Sequence, residues 1–144
     1  MILLDAFALV ALLVDEPAAA EVDALLRGSD CAVTAVNLAE TLDVGVRVLG
    51  RDPEVLSAKL LQLRGSVLGL VEVGEDEARE AARLRWTHDH HRRTAALSLA
   101  DCLLLAGARL RGAAVATSDP PLAAAARRES LAVVALPGST GTRP

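Results

Sequence analysis

The chain has 144 residues, enough for one domain with a sizeable core, and a formal net charge of −4, which excludes a general polyanion binder and confines any nucleic-acid contact to a local patch. Hydrophobic residues make up 52% of it, yet it holds one Trp, one Phe and no Tyr, so its core must be built from Leu, Val and Ala. Its two cysteines, Cys31 and Cys102, lack metal-ligand spacing and read as buried thiols of a cytoplasmic protein.

The opening run MILLDAFALVALLV has the hydrophobicity of a signal segment. Asp5 interrupts it, no basic residue precedes it, and Asp15, Glu16 and Pro17 follow where a cleavage site would lie. It is too short to span a bilayer. It reads as a buried strand, Ile2 to Leu4, followed by a buried helix from Ala6. Pro17 starts a second helix reaching about Arg27, with Gly28 at its C-cap. Cys31 to Thr34 form a second strand, and residues 35–49 have helical periodicity ending at Gly50. Asp52 and Pro53 are an N-cap and first-turn pair for a helix ending near Gly65. Val67 to Val73 is the next strand, and a long amphipathic helix runs from Glu75 to Arg92 and Arg93. Ser98 and Asp101 have capping-box spacing and open a helix to about Arg111. Ala113 to Thr117 is a strand, Asp119 caps a helix begun by Pro120 and Pro121, and Leu131 to Leu136 is the last strand. Residues 1–136 thus form one domain, and the Gly-, Ser- and Thr-rich residues 137–144 form a flexible tail.

Strands alternating with helices along the whole chain predict an α/β fold, a central parallel sheet of four to five strands with helices on both faces. In such sheets ligands bind outside the carboxyl ends of the strands. Asp5 and Asp119 fall at two such ends. Glu40 has Val36 and Val44 four residues to either side, and Asp101 has Leu97 and Leu105, so both carboxylates lie within apolar stripes. Burying an unpaired charge costs several kcal/mol or shifts its pKa, which makes such positions unusual. Each residue also has a structural reading: Asp119 as an N-cap, Asp101 as the partner of Ser98, Glu40 at the edge of its stripe. Asp5 ends a buried strand and shows no cap spacing. Together the four make a candidate cluster for a hard divalent cation such as Mg²⁺ or Mn²⁺.

The segments LLDAFALVALLVDEP, VTAVNLAE, LSLADCLLLA and VATSDPPLA, in this order and across nearly the whole chain, resemble the PIN-domain family and its VapC-type toxins. The resemblance implies a PIN-like three-layer fold and Mg²⁺- or Mn²⁺-dependent cleavage of RNA by a water molecule. Asp5, Glu40, Asp101 and Asp119 fall at the family's acidic positions, and Thr117 at a hydroxyl that supports the last acid. It also implies a homodimer and a cognate VapB-like antitoxin, whose Arg would enter the anionic site. In SDPPLA the chain departs from many relatives, which have an Arg or Lys after the Asp and an aromatic soon after, a difference in substrate contacts and not in the metal ligands.

The most basic stretch runs from Arg83 to Arg93. Arg92 and Arg93 are candidates for RNA phosphate contact, whereas Trp86 reads as a core residue in preference to a stacking platform. His88, His90 and His91 do not have zinc-site spacing. A phospho-acceptor receiver would need an acidic pair after the first strand and a late Lys, but the only Lys is Lys59. An aspartyl phosphatase would need a second Asp where Phe7 stands. A PIN-like scaffold that binds a partner without catalysis is the remaining alternative.

Overall fold

In the computed structural model, which describes residues 1–88 and 97–144, seven α-helices surround five parallel strands. The strands are β1 (Ile2–Leu4), β2 (Cys31–Thr34), β3 (Leu68–Val71), β4 (Ala114–Thr117) and β5 (Val133–Ala135). The helices are α1 (Ala6–Val14), α2 (Ala19–Gly28), α3 (Ala35–Asp43), α4 (Pro53–Arg64), α5 (Glu75–Thr87), α6 (Leu99–Arg111) and α7 (Pro120–Arg128). The strand order is β3-β2-β1-β4-β5. The chain builds outward from β1 through β2 to β3, then returns to the other side of β1 for β4 and β5. The carboxyl ends of β1 and β4, paired at Leu4 and Ala116, therefore flank the topological switch point.

Alternation along the strands divides the core into two layers. Leu3, Ala32 and Val115 pack against α5, α6 and α7 through Leu84, Leu104 and Leu122. Leu4, Val33 and Ala116 face the opposite way, onto Leu9, Val22 and Leu60 of α1, α2 and α4. With both faces covered, the strands read as short continuous apolar runs. Helix α6 is buried from Cys102 through Ala108 and crosses the sheet closely at Gly107. A β-carbon there would lie 3.4 Å from Leu3 Cδ1 and 3.7 Å from Val71 Cγ1.

The helix expected over 35–49 changes character part-way. After Asp43 the chain widens into a π-turn, Val44–Val48, and Gly50 adopts a left-handed φ of 63°. Gly45, within this turn, lies close against α4: a β-carbon there would collide with Leu56 Cδ2. Helix α1 ends at Asp15, also left-handed, whose N–H donates to Ala11 O. Helix α5, expected to reach the arginines at 92 and 93, ends within the described residues at Thr87. Trp86, read from sequence as core, is 76% exposed on that helix. Its position falls outside the stripe of Ala81 and Leu84 that faces α6. Cys31 and Cys102 are both free and buried. In the last residues Arg143 pairs with Glu21 and donates to Ala135 O at 2.6 Å, an exposed arrangement. Among the described residues no helix is long and apolar enough to cross a membrane.

The Gly107 contact has a measurable consequence. Gly107→Ala adds a methyl at ordinary contact distance and removes a helix-interior glycine, so urea unfolding should show unchanged stability or a gain of up to about 1 kcal/mol. Gly107→Leu overpacks the same space and should cost about 1–3 kcal/mol.

Candidate active site

The four acids singled out from sequence line one cleft of about 250 Å³ at the switch point, together with Ala6, Phe7, Asn37, Ser98 and Pro121. Asp5, Asp101 and Asp119 are set in place by the starts of helices, and Glu40 by the middle of α3. Asp5 follows β1 directly and is the N-cap of α1, with Oδ1 accepting the Ala8 N–H at 2.6 Å. The absence of cap spacing inferred from sequence is thus corrected. An N-cap carboxylate needs only the backbone N–H three residues on, and that donor leaves no mark in the sequence. The other oxygen of Asp5, Oδ2, accepts from the Thr117 hydroxyl at the end of β4. The same hydroxyl accepts the Asp119 N–H at 2.9 Å. Asp119 Oδ2 in turn caps α7 at Leu122 N, 2.9 Å away. Asp101 and Ser98 form the expected capping box, with Ser98 N donating to Asp101 Oδ2 at 2.8 Å and Asp101 N to Ser98 Oγ at 3.0 Å.

The structural readings of Asp101 and Asp119 therefore hold alongside their place in the cleft. A cap occupies one carboxylate oxygen of each, and both residues still line the opening. Glu40 lies half-buried on α3, one turn beyond Asn37. Thr41 anchors this helix to α1, its hydroxyl lying 2.8 Å from Asn37 O and 3.4 Å from Ala6 O.

Among the described residues the acids of the cleft raise one another's carboxyls. Burial pushes the Asp5 carboxyl up to about 7, and Asp101 and Asp119 add to the rise, while the Thr117 and Ala8 hydrogen bonds oppose it. Burial also raises the carboxyl of Glu40, with Asp101 and Asp43 contributing. Asp101 is raised by burial and by Asp119, against its bonds to Ser98. Beside Asp101, burial takes the Cys102 thiol up to about 11, so it is no nucleophile. Among the described residues no three His, Cys, Asp or Glu side chains already stand in a metal-holding arrangement.

Sequence reasoning missed Asn37. It is 1% exposed, lines the cleft, and precedes Glu40 by three residues, which places both on one helix face. That spacing, directly after a strand's carboxyl end, was the available signal. Phe7, cited from sequence only against a phosphatase, also lines the cleft and is 52% exposed. His88, one of the three clustered histidines, is engaged elsewhere, with Nε2 2.9 Å from Glu129 Oε1 and Nδ1 accepting from Arg128 Nε at 3.2 Å. His90, His91, Arg92 and Arg93 lie outside the described residues.

Comparison with known proteins places the fold. Among solved structures, FitAcB from Neisseria gonorrhoeae is 29% identical, with a TM-score of 0.66 over 92% of this chain and 96% of that one. VapC20 from Mycobacterium tuberculosis, a sarcin–ricin-loop-cleaving toxin, is 22% identical, with a TM-score of 0.67 over 87% and 95% of the two chains. A toxin–antitoxin complex from Klebsiella pneumoniae is 21% identical, with a TM-score of 0.61 over 83% and 87%. The last two likenesses show the fold. No curated protein matches at comparable significance. The PIN domain family model matches residues 2–128, and the chain belongs to that family.

Proposed function

We propose that this PIN domain is a metal-dependent endoribonuclease, the toxin of a toxin–antitoxin pair. The observation that carries the proposal is the convergence of Asp5, Glu40, Asp101 and Asp119, from four separate segments, in one cleft at the switch point of a parallel sheet. The family membership and the likeness to toxin–antitoxin structures support it. They also support a cognate antitoxin and a homodimer as its partners.

The donor set fits Mg²⁺ or Mn²⁺, because every candidate ligand is a carboxylate oxygen and the group carries excess negative charge. Asp5, Asp101 and Glu40 would hold the ion, with Asp119 beside them. Such an ion supplies Lewis acidity toward a phosphoryl oxygen and makes bound water more acidic. The chain's own residues supply orientation. Thr117 and the Ala8 amide fix both oxygens of Asp5, and Ser98 fixes the rotamer of Asp101. Asp119 uses Oδ2 for its cap, which leaves Oδ1 to accept a proton from the attacking water. Hydrolysis by water needs no covalent enzyme intermediate, in keeping with a cleft that lacks an activated thiol.

A cleavage assay on single-stranded RNA, with and without Mg²⁺ or Mn²⁺, tests this function directly. Asp5→Asn and Asp101→Asn keep volume and remove charge, so each should lower the rate at least about 100-fold while circular dichroism stays native. Parental rates in either variant would remove these residues from the site, and a parent inert toward RNA with either ion would favour the non-catalytic scaffold.

Stability should respond in a sign-specific way. The Asp5 carboxyl is raised from 3.8 to about 7 in the folded state, so the fold holds a proton that the unfolded chain releases. Its stabilising contribution is complete below about pH 4 and is lost as pH rises through 7. In metal-free buffer at pH 8, Asp5→Asn should therefore melt at or above the parental temperature, with the advantage gone near pH 4. Mn²⁺ at about a hundred times its Kd should stabilise the parent by roughly 2.7 kcal/mol and Asp5→Asn far less. Equal shifts in both proteins would place the ion elsewhere.

Arg92→Ala combined with Arg93→Ala should weaken RNA binding and reduce the slope of log K against log salt by about 1.4, the value for two single-strand phosphate contacts. Fluorescence anisotropy across a salt series reads this, and an unchanged slope would assign the pair to solvent.

A further inference from the structure

Among the described residues Asn37 is the one neutral polar side chain buried in the wall of the acidic cleft. Its backbone N–H donates to Thr34 Oγ1 at 3.1 Å, and the Thr34 hydroxyl donates back to Asn37 Oδ1 at 2.6 Å. This exchange fixes the amide plane and uses the carbonyl. The remaining group, Nδ2, is the only buried side-chain N or O atom among the described residues without a hydrogen-bond partner. A buried polar group left unpaired costs about 1–3 kcal/mol, so one that persists in a ligand cleft points to a partner that arrives later. Turning the amide round would not remove the problem. Nδ2 would then take the contact with Thr34 Oγ1, the Thr34 hydroxyl would lose the acceptor it now has, and the carbonyl would be turned toward the acidic cleft.

We propose that Asn37 Nδ2 is a substrate-binding donor, which hydrogen-bonds a non-bridging oxygen of the phosphodiester to be cleaved; this rests on the nuclease reading above. The chemistry favours an amide in this position. A phosphate entering a cleft lined by Asp5, Glu40, Asp101 and Asp119 meets repulsion, and a fixed donor offsets part of it. A Lys or Arg in the same place would pair with a carboxylate and compete with the cation for it. An amide donates without doing either. Asn37 is one helical turn before Glu40 on α3, so the donor and an acid are carried by the same rigid element. Thr34, the N-cap of α3, holds the amide in place and makes no claim on Nδ2.

The experiment compares the parent with Asn37→Leu and Asn37→Asp on a short single-stranded oligoribonucleotide whose cut linkage is first mapped with the parent. Leu keeps the size and removes the donor together with its burial penalty, and Asp keeps the Thr34 contact and exchanges the donor for an acceptor. In both variants kcat/KM should fall about 10- to 100-fold, the range for one hydrogen bond to a charged group. The melting temperature of Asn37→Leu should stay within a few degrees of the parent. The same RNA is then made with each phosphorothioate diastereomer at the mapped linkage, sulfur being the poorer acceptor. One diastereomer should slow the parent more than it slows Asn37→Leu, because the variant has no donor left to lose. Equal phosphorothioate penalties in the two proteins, or parental kcat/KM in Asn37→Leu, would overturn the assignment while leaving the nuclease reading intact. A loss of activity matched by a loss of folded protein would overturn it too, by reducing Asn37 to a packing role. A parent that cleaves no RNA would bring down both.

Discussion

The contact between Asp5 and Thr117 joins the ends of the two strands on which the site depends. β1 and β4 are neighbours because the chain reverses its direction of growth across the sheet between them. A backbone hydrogen bond from Asp5 N to Ala116 O already joins their carboxyl ends, and a side-chain link adds to it. Thr117 supplies one by donating to Asp5 and accepting from the Asp119 backbone, so a single hydroxyl sets the positions of two acids. The same contact helps to keep a carboxyl in a place where burial disfavours its charge. The fold thus holds an acid that ionises reluctantly, beside others that reinforce the reluctance. Under the proposed function, a divalent cation would resolve that conflict.

Helix N-termini supply the remaining order. Asp5, Thr34, Ser98 and Asp119 are the N-caps of α1, α3, α6 and α7, and the cleft is lined from all four helix starts. Each start carries partial positive charge from unpaired N–H groups. The dipoles soften the repulsion among the carboxylates and favour an incoming phosphate. Capping and function share the same side chains without conflict, because a carboxylate has two oxygens and a cap uses one.

Much of this could be read in the sequence, for physical reasons. Short apolar runs bounded by turn residues marked five strands, and the inner strands β1, β2 and β4, largely buried, carry no polar alternation to blur them. The acids stood out because Asp5 ends a buried strand while Glu40 and Asp101 sit among Val and Leu. What stayed hidden depended on contacts between distant segments. The π-turn after Asp43 brings Gly45 against Leu56 of α4, and no local pattern encodes that pairing. Trp86 looked like core because its hydrophobicity was legible and its helix face was not. Asn37 was passed over because an Asn early in a helix is ordinary, and only its burial without a partner for Nδ2 makes it conspicuous.

Helix α6 explains how such a charged cleft remains rigid. Its first turn carries Asp101, its middle from Cys102 to Ala108 is buried, and its last turn carries Arg109. Arg109 enters an ionic network with Glu80, Arg83 and Glu129, joining α5, α6 and the end of α7. Glu129 is its hub. Burial alone would raise that carboxyl, but Arg83 and His88 hold it below the ordinary range. The network lies at the far end of α6 from the cleft, so its fixed positive charges do not neutralise the acids there. The helix is pinned at one end by ion pairs, along its length by apolar packing, and at the other by its capping box. Asp101 is therefore held on a rigid element, its position set by its capping box and by the buried length of the helix behind it.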